Sequence, residues 1–280
     1  MRVAVIQMNA AGERDANLAR ALRLIEQAAR RGAQLVILPE YATFLGGYER
    51  FPEMAETIPG PITEHLAACA RQHGIYLHAG SLLERSPMPD RFYNTSLVFD
   101  RQGALIATYR KVHLFDVDIP GLVSERESRA TLPGDTLCLV ELPELVLGLS
   151  LCFDLRFPEM YRQMALAGAE AFAVPAAFTR ATGRAQHWEI LLRARAIENH
   201  AYVLAAAQYG RDAAGGWRYG NSMIVGPWGE VLAAAPEEGE YVLIADVQRA
   251  LVQRRRREIP VLSLRRPDVY ATLRTHIDSR

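Results

Sequence analysis

VAVIQMNAAGERDANLARALRLIEQAARRGAQLVIL, residues 3–38, decides the class of fold. Val3 to Gln7 is a short, mostly apolar run suited to a buried strand. Asp15 is placed to cap a helix whose Leu18, Leu22, Ile25 and Ala29 recur at i, i+4, i+7 and i+11, with Gly32 as its stop. Gln34 to Leu38 is a second buried strand, closed by Pro39 and Glu40. Strand, helix and strand in this order make a βαβ unit.

The same pattern continues downstream. A helix is predicted near Thr63 to His73, stopped by Gly74 and followed by a strand from Ile75 to Ala79. Tyr93–Phe99 and Ala104–Tyr109 flank a short Gly-containing loop and read as a hairpin. The stretch from Lys111 to Asp135 has no clear period and reads as a long loop, which in a compact domain usually carries function. Thr136–Leu142 and Leu145–Leu151 form a second predicted hairpin, ending at Cys152. A helix near Glu159 to Ala167, a strand over Ala171–Val174 and a long helix from about Arg184 to His200 come next. Ile190, Ala194, Ile197 and Ala201 are expected on one face of that long helix. Strands near 202–207, 222–226, 230–234 and 241–246 precede a basic helix and tail. Helices alternate with strands at both ends and hairpins sit between. The expectation is a large α/β domain with mixed sheets, holding enough strands for two sheets packed face to face with helices outside. No linker or repeat interrupts it, so residues 1–280 read as one domain, with a C-terminal tail from about residue 247.

Composition narrows the functions. Of 280 residues, 50% are hydrophobic and 23% charged, which fits a soluble globular chain and excludes disordered, collagen-like and coiled-coil classes. The 32 basic and 32 acidic side chains cancel, leaving no global field to attract nucleic acid or anionic lipid. The run Arg254–Arg257 lacks interleaved aromatics and reads as a solvated or subunit-facing helix. Cys69, Cys138 and Cys152 form no CxxC and cannot all pair, against a disulfide framework and a structural zinc site. The opening apolar run is too short for a signal peptide, and no run of about 18 apolar residues follows. A cytoplasmic protein without a membrane partner is expected.

Glu40, Lys111 and Cys152 each fall just after an apolar strand. In α/β sheets, ligand sites gather at the carboxyl ends of strands, so residues far apart in sequence can converge there. Singly, each has a bland reading: a solvated carboxylate, a surface charge, a buried small hydrophobe. Together they supply what a thiol nucleophile needs, a base to take its proton and a cation to meet an oxyanion. None of the seven histidines has a helpful setting; His113, two residues past Lys111, is the weak candidate. His187-Trp188-Glu189 reads as a packed helix start rather than a metal site.

The segments LPEYATF (38–44), YRKVHLFD (109–116) and LCFDLRFPE (151–159) closely resemble the three catalytic motifs of the nitrilase superfamily of carbon–nitrogen hydrolases. HWEILLRARAIENHAYVLAAAQ (187–208), YGNSMIVGPWG (219–229) and RREIPVLSLRRPDVY (256–270) extend the resemblance over nearly the whole chain.

The resemblance implies an αββα four-layer sandwich that forms a homodimer. It implies that Glu40 is general base and acid, Lys111 stabilises the oxyanion with the backbone N–H of Phe153, and Cys152 is the nucleophile. Glu127, in ERESRATLPGD (125–135), matches a further family glutamate that positions the lysine and substrate. No metal or organic cofactor is implied. Within the superfamily the chain most resembles the small amidase branch. The implied reaction cleaves a small carboxamide bearing a carboxylate to acid and ammonia through a Cys152 thioester. Deaminated glutathione is the first substrate, α-ketoglutaramate (the omega-amidase substrate) the alternative, and N-carbamoyl amino acids a further one; an interaction module on the same fold is the non-enzyme reading. Arg156 matches the family's substrate-carboxylate arginine, its other reading being a partner for Glu159 or Asp154. Thr179 and Thr182 are candidates to join it. Asn221 stands where many family members carry His.

Overall fold

The computed structural model describes residues 1–270. In chain order its principal elements begin with β1 (Arg2–Gln7), α1 (Arg14–Arg30), β2 (Leu35–Ile37), α2 (Pro61–His73), β3 (Tyr76–His78), β4 (Leu82–Arg85), β5 (Phe92–Phe99) and β6 (Leu105–Arg110). The middle of the chain gives β7 (Asp116–Ile119), β8 (Val123–Arg126), β9 (Leu139–Glu141), β10 (Val146–Leu149), α3 (Pro158–Leu166), β11 (Ala171–Ala173), α4 (Arg180–Arg184), α5 (His187–Asn199) and β12 (Tyr202–Ala205). The last third gives β13 (Tyr209–Arg211), β14 (Trp217–Tyr219), β15 (Met223–Val225), β16 (Val231–Ala234), β17 (Tyr241–Asp246) and α6 (Arg249–Glu258).

One sheet runs β17-β1-β2-β3-β5-β4, with β6 also paired to β5; the other runs β16-β15-β12-β11-β10-β9. Each has a parallel centre, β1-β2-β3 and β10-β11-β12, flanked by antiparallel strands. Side chains alternate across a strand, so each face of the first sheet has its own partner. Val3, Val5, Leu35 and Ile37 join one apolar cluster with Leu147, Leu149 and Val203 of the second sheet. Ala4, Ile6, Val36 and Leu38 pack instead with Leu24 and Ile25 of α1 and Leu66 of α2. Helices α3 and α5 cover the outer face of the second sheet. The result is the expected αββα sandwich in one domain. The two parallel centres set strand ends facing a common space.

Five expectations need correction. Glu13, not Asp15, occupies the N-cap of α1; Asp15 lies in the first turn, where a carboxylate suits the positive helix end. The deepest face of α1 is Asn17, Ala21, Leu24, Ile25 and Ala28, because buried Asn17 donates to the carbonyls of Ala10, Gly12 and Thr43; Leu18, Leu22 and Ala29 pack at its margin. The stretch after Lys111 is not all loop: β7 and β8 form a hairpin. The helix predicted from Arg184 to His200 is broken at Gln186, whose φ of 65° is left-handed. Its buried face is Trp188, Leu192, Arg195, Ala196 and Asn199, whereas Ile190 and Ile197 are 58% and 47% exposed. Polar Arg195 turns inward because its guanidinium donates twice to the Leu155 carbonyl. Among the basic run, Arg255 pairs with Glu258 and Arg256 donates to the Ala169 and Asn199 carbonyls.

Candidate active site

Each reactive side chain is set by a strand end. Glu40 lies three residues beyond β2, and fully buried Gln208 donates to the carbonyls of Glu40 (2.9 Å) and Tyr41 (3.3 Å). Gly80, at φ +63°, packs against this turn so closely that a Cβ would sit 1.9 Å from the Pro39 oxygen. Any side chain there would displace the strand end that presents Glu40. Lys111 directly follows β6 and donates its N–H to the Asn94 carbonyl. Cys152 opens a 3-10 turn, Cys152–Arg156, with its backbone in the left-handed region (φ 44°). Such a φ is strained for a residue with a Cβ and is characteristic of side chains held out at a sharp turn.

Asp154, fully buried, ties the two latter elements together. Its Oδ2 accepts from the Tyr109 hydroxyl (2.7 Å) and the Leu151 N–H (2.8 Å), and its Oδ1 from the backbone and Nδ1 of His113. His113 is therefore a support for the lysine loop, stacked on Phe157, and not a base for Cys152.

The charged groups meet below the surface. Lys111 Nζ lies 3.0 Å from Glu40 Oε1 and 2.9 Å from Glu127 Oε2, with all three residues 2–3% exposed. Glu127 also accepts the Phe115 N–H (2.7 Å) and the Tyr41 hydroxyl (3.1 Å). Glu40 Oε2 accepts the Ala177 N–H at 2.8 Å. The Cys152 N–H bonds to the Pro175 carbonyl at 2.8 Å, two residues before Ala177, and the thiol feels the charges of both Glu40 and Lys111. Burial draws the Lys111 ammonium down, but Glu127 and Glu40 outweigh it and hold it well above its ordinary range. Burial, then the Glu40 carboxylate, pushes the Cys152 thiol well up, against the opposing pull of Lys111.

A thiol raised in this way is neutral at pH 7. Alkylation of Cys152 by iodoacetamide is expected to quicken steadily as pH rises beyond about 9, since thiolate is the reactive form. A rate already level by pH 7 would show a preformed thiolate and contradict this arrangement.

A cavity of about 350 Å³ lies over these groups, walled by Tyr41, Phe44, Phe115, Phe153 and Phe178. Phe153 stands second in the 3-10 turn, where an N–H has no partner within the turn and is free for an oxyanion. Arg156, Thr179 and Thr182 line the same cavity, the two threonine hydroxyls 2.7 Å apart. Arg156 pairs with neither Glu159 nor Asp154; its contacts are His187 Nδ1 at 3.3 Å and the faces of Phe153 and Phe178. Desolvation draws its pKa below the ordinary arginine value. A second cavity of about 440 Å³ adjoins the first, the two sharing Glu125, Thr179, Gly216 and Arg218 as lining, with Arg180, Arg184 and Trp217 on its walls. Among the described residues, no group of three or more His, Cys, Asp or Glu is arranged to hold a metal ion.

All eight residues singled out from the sequence line this cavity. Sequence reasoning missed Tyr41, Asn94, Asp154 and Arg218. Asn94 had a visible signal, a polar Asn-Thr-Ser run inside the apolar strand FYNTSLVF, all three buried. Asn221 does not line the cavity; it takes φ 54° at a turn, as Asn readily does, and its carbonyl accepts the Trp188 indole N–H.

A thiol, a carboxylate and an ammonium thus lie buried together at strand ends of an αββα sandwich. The sequence profile described as carbon-nitrogen hydrolase matches residues 2–257. The chain is 40% identical over 270 residues to an omega-amidase of Homo sapiens, covering 96% of each. It is 40% identical over 279 residues to a deaminated glutathione amidase of Bos taurus, covering 97% of this chain and 84% of that protein. The crystal structure of Saccharomyces cerevisiae Nit3, described as a member of the nitrilase superfamily, superposes with a TM-score of 0.84 at 31% identity, covering 93% and 94%. The chain belongs to the carbon–nitrogen hydrolase family. It is an amidase, hydrolysing carbon–nitrogen bonds other than peptide bonds.

Proposed function

We propose that the substrate is an amide of a short 2-oxo dicarboxylic acid, with Cys152 as nucleophile, Glu40 as general base and acid, and Lys111 with the Phe153 N–H as oxyanion partners. The proposal rests above all on the shared buried position of Glu40, Lys111 and Cys152 beneath one cavity. The Cys152 proton passes to Glu40 as sulfur bonds to the amide carbon, and the carbonyl electron pair moves onto oxygen. Collapse of the oxyanion breaks the C–N bond while Glu40 returns the proton to the departing amine, leaving a thioester. A water then attacks the thioester, giving its proton to Glu40; the thiolate leaves and recovers that proton. Glu127 holds Lys111 throughout.

The free carboxylate of the acyl group is assigned to Arg156, since no acidic side chain neutralises this half-buried guanidinium. Arg156→Met is expected to lower kcat/KM for carboxylate-bearing amides about 30-fold, the value of roughly 2 kcal/mol for a charge-assisted pair. A neutral amide such as propionamide should change less than about 3-fold, because it never used the pair. Equal losses on both would remove the assignment.

Deaminated glutathione and α-ketoglutaramate share one acyl group and differ in the amine, a dipeptide against ammonia. The expectation of ammonia release therefore holds only for the second. The adjoining cavity favours the first, because its volume, Trp217 and arginines suit a dipeptide ending in a carboxylate. Both substrates should be incubated with the purified chain and 2-oxoglutarate, their common product, measured. A higher kcat/KM on deaminated glutathione supports this choice; the reverse assigns an omega-amidase. Carbon dioxide from N-carbamoyl amino acids alone would assign the ureido reaction, and no turnover of any of them the interaction module.

The dimer is part of the same reading. Ile190 and Ile197 of α5, with Trp228, Val231 and Leu232, are 41–58% exposed, and such a patch suits a second copy. A catalytic free thiol fits a reducing cytoplasm.

A further inference from the structure

We infer that Asn94 is a positioning residue that decides which oxygen of Glu40 carries the proton during turnover. The inference rests on the proposed role of Glu40. Asn94 lies in β5, fully buried, and its Nδ2 donates to Glu40 Oε1 at 2.9 Å and, at 3.4 Å, to Glu127 Oε1. It is thus the one neutral amide among the described residues that touches both carboxylates. Its own Oδ1 has no partner. Turning the amide over would satisfy nothing and would set a carbonyl against two carboxylates, so the electrostatics fix its orientation.

The consequence falls on Glu40. Oε1 already takes Lys111 Nζ at 3.0 Å and the Asn94 amide, whereas Oε2 takes only the Ala177 N–H. Ala177 lies two residues beyond Pro175, whose carbonyl accepts the Cys152 N–H at 2.8 Å, which turns Oε2 toward the Cys152 turn. With two donors saturating Oε1, a proton leaving Cys152 has a vacant lone pair only on Oε2, and the same atom returns it to the amine. Asn94 also keeps Glu40 from rotating its carboxylate about χ3, a torsion that is otherwise broad.

Asn94→Asp keeps the shape and makes the group titratable. When ionised it opposes Glu40 and Glu127; when protonated its O–H restores a donor to Oε1. Relative to wild type, kcat of Asn94→Asp is expected to be about 100-fold lower at pH 8 and to recover by about 10-fold or more towards pH 5, with KM within about 3-fold throughout. Asn94→Ala should lose about 10-fold in kcat without that acid recovery, and Asn94→Ser, which keeps a shorter donor, should retain more activity than Ala. A constant Asp-to-wild-type ratio across pH, or Ala equal to or better than Ser, overturns the inference even where all variants are folded by circular dichroism. Should Asn94→Asp not fold, the Ser-against-Ala ranking decides alone. Cys152→Ala is measured alongside: wild-type turnover that survives it would remove the proposed chemistry itself, whereas Cys152-dependent turnover indifferent to Asn94 removes only this inference.

Discussion

Cys152→Ala is expected to lower amide turnover by about 10⁴-fold or more, with little change in thermal stability. The magnitude is that of deleting a nucleophile from a group of residues that act together, where what remains is binding and oxyanion stabilisation. Stability should hold because the sulfur contributes little packing that Ala does not keep, and Ala removes a buried thiol whose ionised form is disfavoured by burial and by Glu40. The left-handed backbone at this position (φ 44°) strains Ala and Cys alike. Steady-state kinetics with a sensitive product assay, beside a thermal melt, check both halves. Retention of a tenth of the activity would mean that another group attacks the amide.

Lys111→Met carries the second large effect, on rate and fold together. Removing the ammonium leaves Glu40 and Glu127 facing each other in a buried site, with only the donors from Asn94, Tyr41, Ala177 and Phe115. Breaking a buried ion pair from one side costs about 3–5 kcal/mol, and losing an oxyanion partner costs about 10²–10³ in kcat. For a chain of this size the stability loss is a fall in Tm of roughly 6–12 °C. The pH dependence has a definite sign. The folded Lys111 is held above its ordinary range, so its contribution is complete below the unfolded lysine value of about 10.4 and fades only as pH rises through the folded value. The wild-type advantage in Tm should therefore be full at pH 7 and shrink in strong alkali. A variant as stable as wild type at pH 7 would mean that Lys111 does not hold the two glutamates together.

What the sequence made legible follows from where its signals are local. Apolar runs ending at Glu40 and Cys152 marked buried strands with reactive residues at their tips, and Lys111 followed the same rule. The β7–β8 hairpin was hidden because its Asp116–Ile119 and Val123–Arg126 strands are short and half polar, with little surface to bury. The face of α5 was misread for the opposite reason. Its isoleucines point outward while Arg195 and Asn199 turn in, satisfied by the Leu155 and Arg195 carbonyls. Hydrophobic spacing alone cannot reveal a polar side chain whose partner is a distant backbone group. Asn94 and Asp154 belong to the same class: their importance lies in donors and acceptors that only the assembled sandwich brings within reach.

The most direct test of the central claim is intact-mass spectrometry of the wild-type chain, acid-quenched during turnover of α-ketoglutaramate and of deaminated glutathione. The account expects the same mass increase with both substrates, that of the shared acyl group in thioester linkage, localised by peptide mapping to Cys152 and absent from Cys152→Ala. Single-turnover hydrolysis of both amides with no adduct at any quench time, and with product formation unaffected by Cys152→Ala, would contradict it.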